Sequence, residues 1–190
     1  MHRRQTIVFG TIGGVLVFLL IVCTLFWLNV VPFPFNREFS RPPEPVEYVP
    51  CPASNAKQVN LDQISVRVYN SGDVAGLASK VAETLTAAGV KVTDTTNWSG
   101  DPIESTAVIY TSKDGVASAY TLRAFIPQAK VIYDATLTGT QVDVVIGTKW
   151  DTQVDLVATP DDSAYQEAMQ KIEGCVAVSE IPDEEKDKAK

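Results

Sequence analysis

The chain has 190 residues, with 23 acidic and 16 basic side chains and 45% hydrophobic residues. Its length, with its apolar residues concentrated in one run, argues against a polytopic transporter, a multidomain enzyme and a wholly disordered chain. The acidic balance argues against nucleic acid as a partner, because phosphate binding needs clustered Lys and Arg.

The averages hide a split. Residues 6–31 form a run of 26 without a charge, 19 of them hydrophobic. The remaining 164 residues are only about 40% hydrophobic, ordinary for a soluble domain. As a helix the run reaches about 39 Å, more than the ~30 Å hydrocarbon core of a bilayer. An uncleaved transmembrane anchor is expected, after a five-residue N-terminus (1–5). A cleaved signal peptide is the rival reading, but the run is too long for its apolar region and no small-x-small site follows. Gly10 and Gly14 make a GxxxG pair through which two such helices approach closely, so a homodimer is a candidate. Arg3 and Arg4 precede the run while Arg37 and Arg41 follow it, and the positive-inside count is nearly tied.

Residues 32–57 hold seven of the eleven prolines and read as an extended, semi-rigid stalk that holds the domain away from the bilayer. Beyond the apolar run only Cys51 and Cys175 remain. Two cysteines bracketing a domain suit a disulfide in an oxidising compartment; two unpaired thiols are the alternative.

The folded domain is expected over 58–158. Ile64, Val66 and Val68 alternate with polar residues, predicting a strand over 64–70. Asn70-Ser71-Gly72-Asp73 turns into a helix over 74–88 with Leu77, Ala78, Val81 and Leu85 inward, and Gly89 stops it. Gly76 reads as allowing close helix–sheet contact. Strands are expected over 90–95 and 106–111, separated by a loop over 97–104. A helix over 116–125 ends at Pro127, and strands over 129–134 and 141–147 follow. The order β-α-β-β-α-β-β predicts an α/β fold: a two-layer sandwich with a mixed sheet and both main helices on one face. Residues 159–181 add a helix over 162–173, capped near Asp161-Asp162, that leads to Cys175. Residues 182–190 are a charge-dense tail expected to be disordered.

The run Val66-Arg67-Val68-Tyr69-Asn70-Ser71-Gly72, the small-residue helix Val74-Ala75-Gly76-Leu77-Ala78 and Ala88-Gly89-Val90 resemble the first βα unit of the LytR C-terminal domain family. The strand Val142-Asp143-Val144-Val145-Ile146-Gly147 is similar to the family's last strand, and the resemblance covers residues 65–151. Ser71 stands where glycine is frequent in that family. The layout of short N-terminus, one membrane helix, Pro-rich stalk and lone domain resembles stand-alone actinobacterial members. That resemblance implies a single-pass plasma-membrane protein with a cytoplasmic N-terminus, an envelope-facing domain and a role in maintaining the cell envelope and its wall. Full-length LytR-type proteins place this domain after a catalytic phosphotransferase domain, which has no counterpart in this sequence.

The inventory of side chains speaks against catalysis. The one histidine, His2, precedes the anchor, so Ser-His-Asp and Cys-His arrangements have no base in the soluble part. No P-loop, GxSxG, HExxH or EF-hand motif is present, and no catalytic residue, metal or cofactor is expected. Asn70, Ser71 and Gly72 offer backbone N–H groups at a helix start; a structural turn and an anion site are both readings, with Asp73 opposing the second. Asp134, Asp143 and Asp151 read as a solvated acidic patch. Trp98, in a polar loop, either covers the core edge or presents a binding surface for a sugar or a protein. The leading expectation is a non-catalytic module that binds envelope-biosynthesis proteins or a cell-wall polymer. The alternative is a carboxylate-dependent enzyme acting on an envelope glycopolymer.

Overall fold

From Thr6 to Trp27 the uncharged run lies in one helix, α1 (His2–Trp27), in the computed structural model, which describes residues 2–27, 46–151, 155–170 and 172–182. Its stretch Ile7–Leu25 has a mean hydropathy of 2.6 and is long and apolar enough to cross a membrane. α1 falls in one unit, Met1–Val46, and all other elements fall in a second, Glu47–Lys190. Most of the expected stalk and nearly all of the expected tail lie outside the described residues.

The second unit is built on strands β1 (Ser65–Asn70), β2 (Lys91–Asn97), β3 (Ala107–Thr111), β4 (Lys130–Tyr133) and β5 (Val142–Ile146). They form one sheet in the order β2-β1-β5-β3-β4. β1 runs parallel to β2 and β5, β3 runs parallel to β4, and β3 meets β5 antiparallel. Parallel neighbours need a crossover, and the helices α2 (Leu77–Ala87) and α3 (Val116–Arg123) supply two of them. Every residue of β5 is buried, as its central place requires. β2 lies at an edge and is almost wholly exposed.

Alternation sends Val66, Val68, Ile109, Val131, Val142, Val144 and Ile146 into one core with Leu77, Val81 and Leu85 of α2 and Ala119, Tyr120 and Leu122 of α3. The expected two-layer mixed α/β sandwich is therefore present. Helix α2 ends in a complete Schellman motif: Val90 N–H donates to Leu85 O at 2.9 Å and Gly89 N–H to Thr86 O at 3.0 Å. Gly89 has φ +102°, a conformation glycine adopts without a Cβ penalty.

Four expectations change. Helix α2 starts at Leu77 rather than 74, because Gly76 caps it with φ +84° and the Asn70 Nδ2 holds the Val74 carbonyl in the preceding turn at 2.9 Å. A Cβ on Gly76 would meet nothing within 4 Å, so close packing is not its role; the left-handed backbone is. The folded unit also starts earlier than residue 58. Tyr133 N–H donates to Tyr48 O, Cys51 N–H to Val176 O and Tyr120 Oη–H to Pro50 O, each at 2.8 Å. These bonds make residues 48–51 an added border of the domain rather than stalk. The last helix, α4 (Asp162–Ala168), is shorter than expected. Asp161 caps it by accepting from Ala164 N–H at 2.9 Å; hydrogen bonds from Ser163 and from Ala164 N–H lower its carboxyl pKa. Cys51 and Cys175 are joined by a disulfide with 5.0 Å between their Cα atoms.

Candidate functional site

The sheet has a second face, turned away from the helices, and the strand register places its side chains in two rows. One row runs Asp94, Arg67, Asp143, Tyr110, Ile132; the next runs Thr96, Tyr69, Val145, Val108, Lys130. Alternation within each strand puts these residues opposite the core set. Arg67 donates from Nε to Asp143 Oδ1 at 2.7 Å and from Nη2 to Oδ2 at 2.5 Å, a bidentate pair. The Asp143 hydrogen bond holds the Arg67 pKa above its ordinary value.

After β2 the chain doubles back over this face as a loop, residues 98–105. Trp98 N–H donates to Asn70 O at 2.8 Å, and Ile103 N–H to Ser71 Oγ at 2.7 Å. Gly147 N–H donates to Thr106 O at 2.8 Å, Thr148 N–H to Ile103 O at 2.9 Å and Lys149 N–H to Ser105 O at 3.1 Å. A Cβ at Gly147 would collide with the Ser105 and Ile103 carbonyls, so only glycine lets the loop lie this close.

The loop delivers Trp98 to two tyrosines. Its ring stacks on Tyr110, 5.8 Å between centroids and 6° from parallel, and meets Tyr69 edge-on at 5.5 Å. Gly100 closes against the indole nitrogen, leaving no room for a Cβ. Burial, and then the charge of Asp143, raises the Tyr69 pKa; burial, and then Glu47 and Asp134, raises that of Tyr110. Both phenols therefore keep their protons at neutral pH and can donate.

Beside Trp98 opens a groove of about 390 Å³. Its lining comes from Val108, Tyr110, Lys130 and Ile132 of the sheet, from Trp98 with loop residues 101–105, and from Glu47 at the start of the folded unit. The volume lies in the range of small-ligand clefts, about 300–1,000 Å³. Three carboxylates, Glu47, Asp101 and Glu104, and one ammonium, Lys130, line it. The Ser105 hydroxyl is buried in the groove wall with no hydrogen-bond partner among the described residues.

The sequence-derived candidates separate in space. Trp98 lies in the groove. Asn70, Ser71 and Gly72 do not, and their polar groups are committed internally: Asn70 Oδ1 accepts from Gly72 N–H at 3.1 Å, and Ser71 N–H donates to Ile146 O at 2.9 Å. They serve the site by anchoring the Trp98 loop. The acidic patch expected of Asp134, Asp143 and Asp151 does not form. Asp143 is buried against Arg67, and Asp134 accepts from Thr136 N–H at 2.8 Å and Thr136 Oγ1 at 2.7 Å. Among the described residues no group of three His, Cys, Asp or Glu side chains is placed to hold a metal ion. Tyr69 and Tyr110 are not legible as site residues because strand register brings them beside Trp98, and Glu47 is not because it reaches the groove from the segment that precedes the sheet.

The architecture is thus that of a disulfide-closed α/β domain, accompanied in the chain by a helix of membrane-spanning length, with an aromatic groove on the free face of its sheet. Residues 63–150 match the profile of the family described as LytR cell envelope-related transcriptional attenuator, close to the span over which the sequence resembles that family. A stretch of 65 residues is 38% identical to the "Vesiculogenesis and immune response regulator" of Mycobacterium tuberculosis, covering 34% of this chain and 40% of that protein. The fold is similar to the crystal structure of the soluble domain of a conserved hypothetical secreted protein from Mycobacterium marinum. That likeness has a TM-score of 0.50 at 20% identity and covers 60% of this chain and 88% of the other.

Proposed function

We propose that this chain is a single-pass, non-catalytic module of the plasma membrane that helps maintain cell-envelope integrity by binding an envelope-biosynthesis protein or a cell-wall polymer. The observation that carries the reading is the Trp98 groove: an aromatic, hydrogen-bonding cleft on the exposed face of a domain that matches an envelope-related family. The Cys51–Cys175 disulfide supports an extracytoplasmic domain and a cytoplasmic N-terminus. A homodimer through α1 belongs to the proposal as well, since Gly10 and Gly14 leave open space for a second helix.

Deleting the protein from its native host should raise envelope permeability to a dye that normally stays outside. Restoring the full chain should reverse the effect, while a Trp98→Ala chain present at equal level should not. Full rescue by the variant would overturn the groove's role. A periplasm-active reporter fused after Lys190 should give signal, and signal from a cytoplasm-active reporter alone would refute the orientation.

The second reading, a carboxylate-dependent enzyme on an envelope glycopolymer, is favoured by Glu47, Asp101 and Glu104 lining one groove. It requires turnover of a purified polymer that is lost in Glu104→Gln or Asp101→Asn.

A further inference from the structure

The Trp98 groove discriminates among the ligands that an envelope-binding module meets. We infer that it is a subsite for an uncharged saccharide chain; the inference rests on the module reading above and names the chemistry of its ligand.

Three observations point the same way. The walls pair apolar and aromatic surface, from Trp98, Tyr110, Val108 and Ile132, with hydrogen-bonding groups at the rim. A sugar ring has that same division, with C–H bonds on its faces and hydroxyls around its edge. The rim groups are complementary to hydroxyls in both senses. Glu47, Asp101 and Glu104 accept hydrogen bonds, while Lys130 donates, and the raised Tyr110 pKa keeps that phenol a donor too.

The rim also carries three negative charges against one positive, in a chain of net charge −7. That field opposes phosphodiester polymers, uronic acids and anionic lipid headgroups, so it selects by repulsion as well as by contact. The shape argues against a folded protein partner. A concave cleft of about 390 Å³ lies in the range of small-ligand sites, about 300–1,000 Å³, and admits a narrow chain segment rather than a broad flat surface. A short basic peptide also suits the net negative rim and is the remaining competitor, which the test includes.

The test uses the full chain in nanodiscs of uncharged lipid, titrated by calorimetry. The neutral probes are hexaoses of glucose, galactose, mannose and arabinose; hexagalacturonate is the acidic probe and hexalysine the basic one. At least one neutral hexaose should bind with a sub-millimolar Kd, and hexagalacturonate should bind at least tenfold more weakly. Trp98→Ala should weaken the neutral ligand at least tenfold. Because that variant also removes two ring contacts, Asp101→Asn with Glu104→Gln provides a second arm. Both side chains are exposed, so this double variant should melt as the parent does and still lose about tenfold in affinity. Failure of all four neutral probes, affinity unchanged in both variants, or binding of hexalysine alone would overturn the inference. If those results came with a Trp98→Ala chain that still failed to restore the envelope barrier, the module reading would stand and only its ligand would be wrong.

Discussion

Arg67 and Asp143 are direct partners across β1 and β5, and their side chains close a two-pronged ion pair on the free face of the sheet. The two ends are unequally exposed: the Asp143 side chain is 9% accessible and that of Arg67 34%. Removing Arg67 strands a carboxylate with little access to water, whereas removing the charge of Asp143 leaves a guanidinium that can turn to solvent and towards Asp94. Arg67→Met should therefore cost about 2–3 kcal/mol, less than a fully buried pair because of the exposed end, and Asp143→Asn about 1 kcal/mol. Arg67→Met combined with Asp143→Leu should recover most of the loss. Urea midpoints at constant slope measure this cycle, and equal costs for the two single variants would contradict it.

Tyr120 gives the domain a defined alkaline limit. Its side chain is fully buried, its Oη–H donates to the Pro50 carbonyl at 2.8 Å, and burial pushes its pKa up to about 12. For a group whose folded pKa lies above the unfolded one, the stability contribution is complete below the unfolded value near pH 10. It is lost as pH rises towards 12, by about 2–3 kcal/mol. Tyr120→Phe should be less stable at pH 7 by about 1 kcal/mol, because the Pro50 carbonyl loses its donor. The same variant should lose less between pH 10 and 12. Thermal melts across that range decide it, and an alkaline loss equal to the parent's would rule out Tyr120 as the source.

The disulfide ties the first border of the domain to the last. Cys51 and Cys175 are 124 residues apart, and Pro50 and Val176 pair as an isolated parallel bridge beside them. Cross-linking so long a loop restricts the unfolded chain by about 4–5 kcal/mol. Non-reducing mass mapping should recover one peptide pair joining the two cysteines. Reduction, or Cys51→Ser with Cys175→Ser, should lower the denaturation midpoint sharply and release residues 48–51 to rapid hydrogen exchange first. A midpoint unchanged by reduction would remove the staple from the account.

Two glycines should respond in opposite ways. Gly147 sits where a methyl group would strike the Ser105 and Ile103 carbonyls, so Gly147→Ala should lift the 98–105 loop. The expected signature is a red-shifted Trp98 emission with far-UV circular dichroism retained, at a cost of about 1–3 kcal/mol. Gly76 has open space around the Cβ position but φ +84°, so Gly76→Leu should cost about 1–2 kcal/mol of backbone strain and leave the fold intact. Unfolding of Gly76→Leu, or unchanged Trp98 emission in Gly147→Ala, would reverse the assignments.

Much of the framework is legible from the amino-acid order, because it depends on neighbours in the chain. The uncharged run of residues 6–31 specifies a long apolar helix, the alternation at Val66 and Val68 specifies a strand, and Gly89 after Ala88 specifies a helix stop. These are statements about periodicity and single-residue backbone preference, which local sequence carries. The paired cysteines were legible as candidates for the same reason: so few remained to choose from. Gly76 shows the limit. Its neighbourhood reads as a helix of small residues, but a local bond from the Asn70 side chain to the Val74 carbonyl, four residues on, together with the left-handed Gly76, moves the start three residues along. Asp143 shows it again, being an outward-facing charge by alternation and a buried partner of Arg67 by pairing.

The site was decided entirely at the tertiary level. Trp98 was visible as an aromatic residue in a polar loop, with cover and binding surface both open. Its neighbours Tyr69 and Tyr110 lie on strands separated by β5, and Glu47 arrives from a segment the composition assigned to a stalk. Bringing them together requires the insertion of β5 between β1 and β3 and the close passage of the loop over Gly147. Neither leaves a local signature, since which strands pair is settled by the free energy of the whole buried sheet. The sequence by itself determined an apolar helix and a small acidic α/β domain; only the folded sheet decided that the domain has a groove.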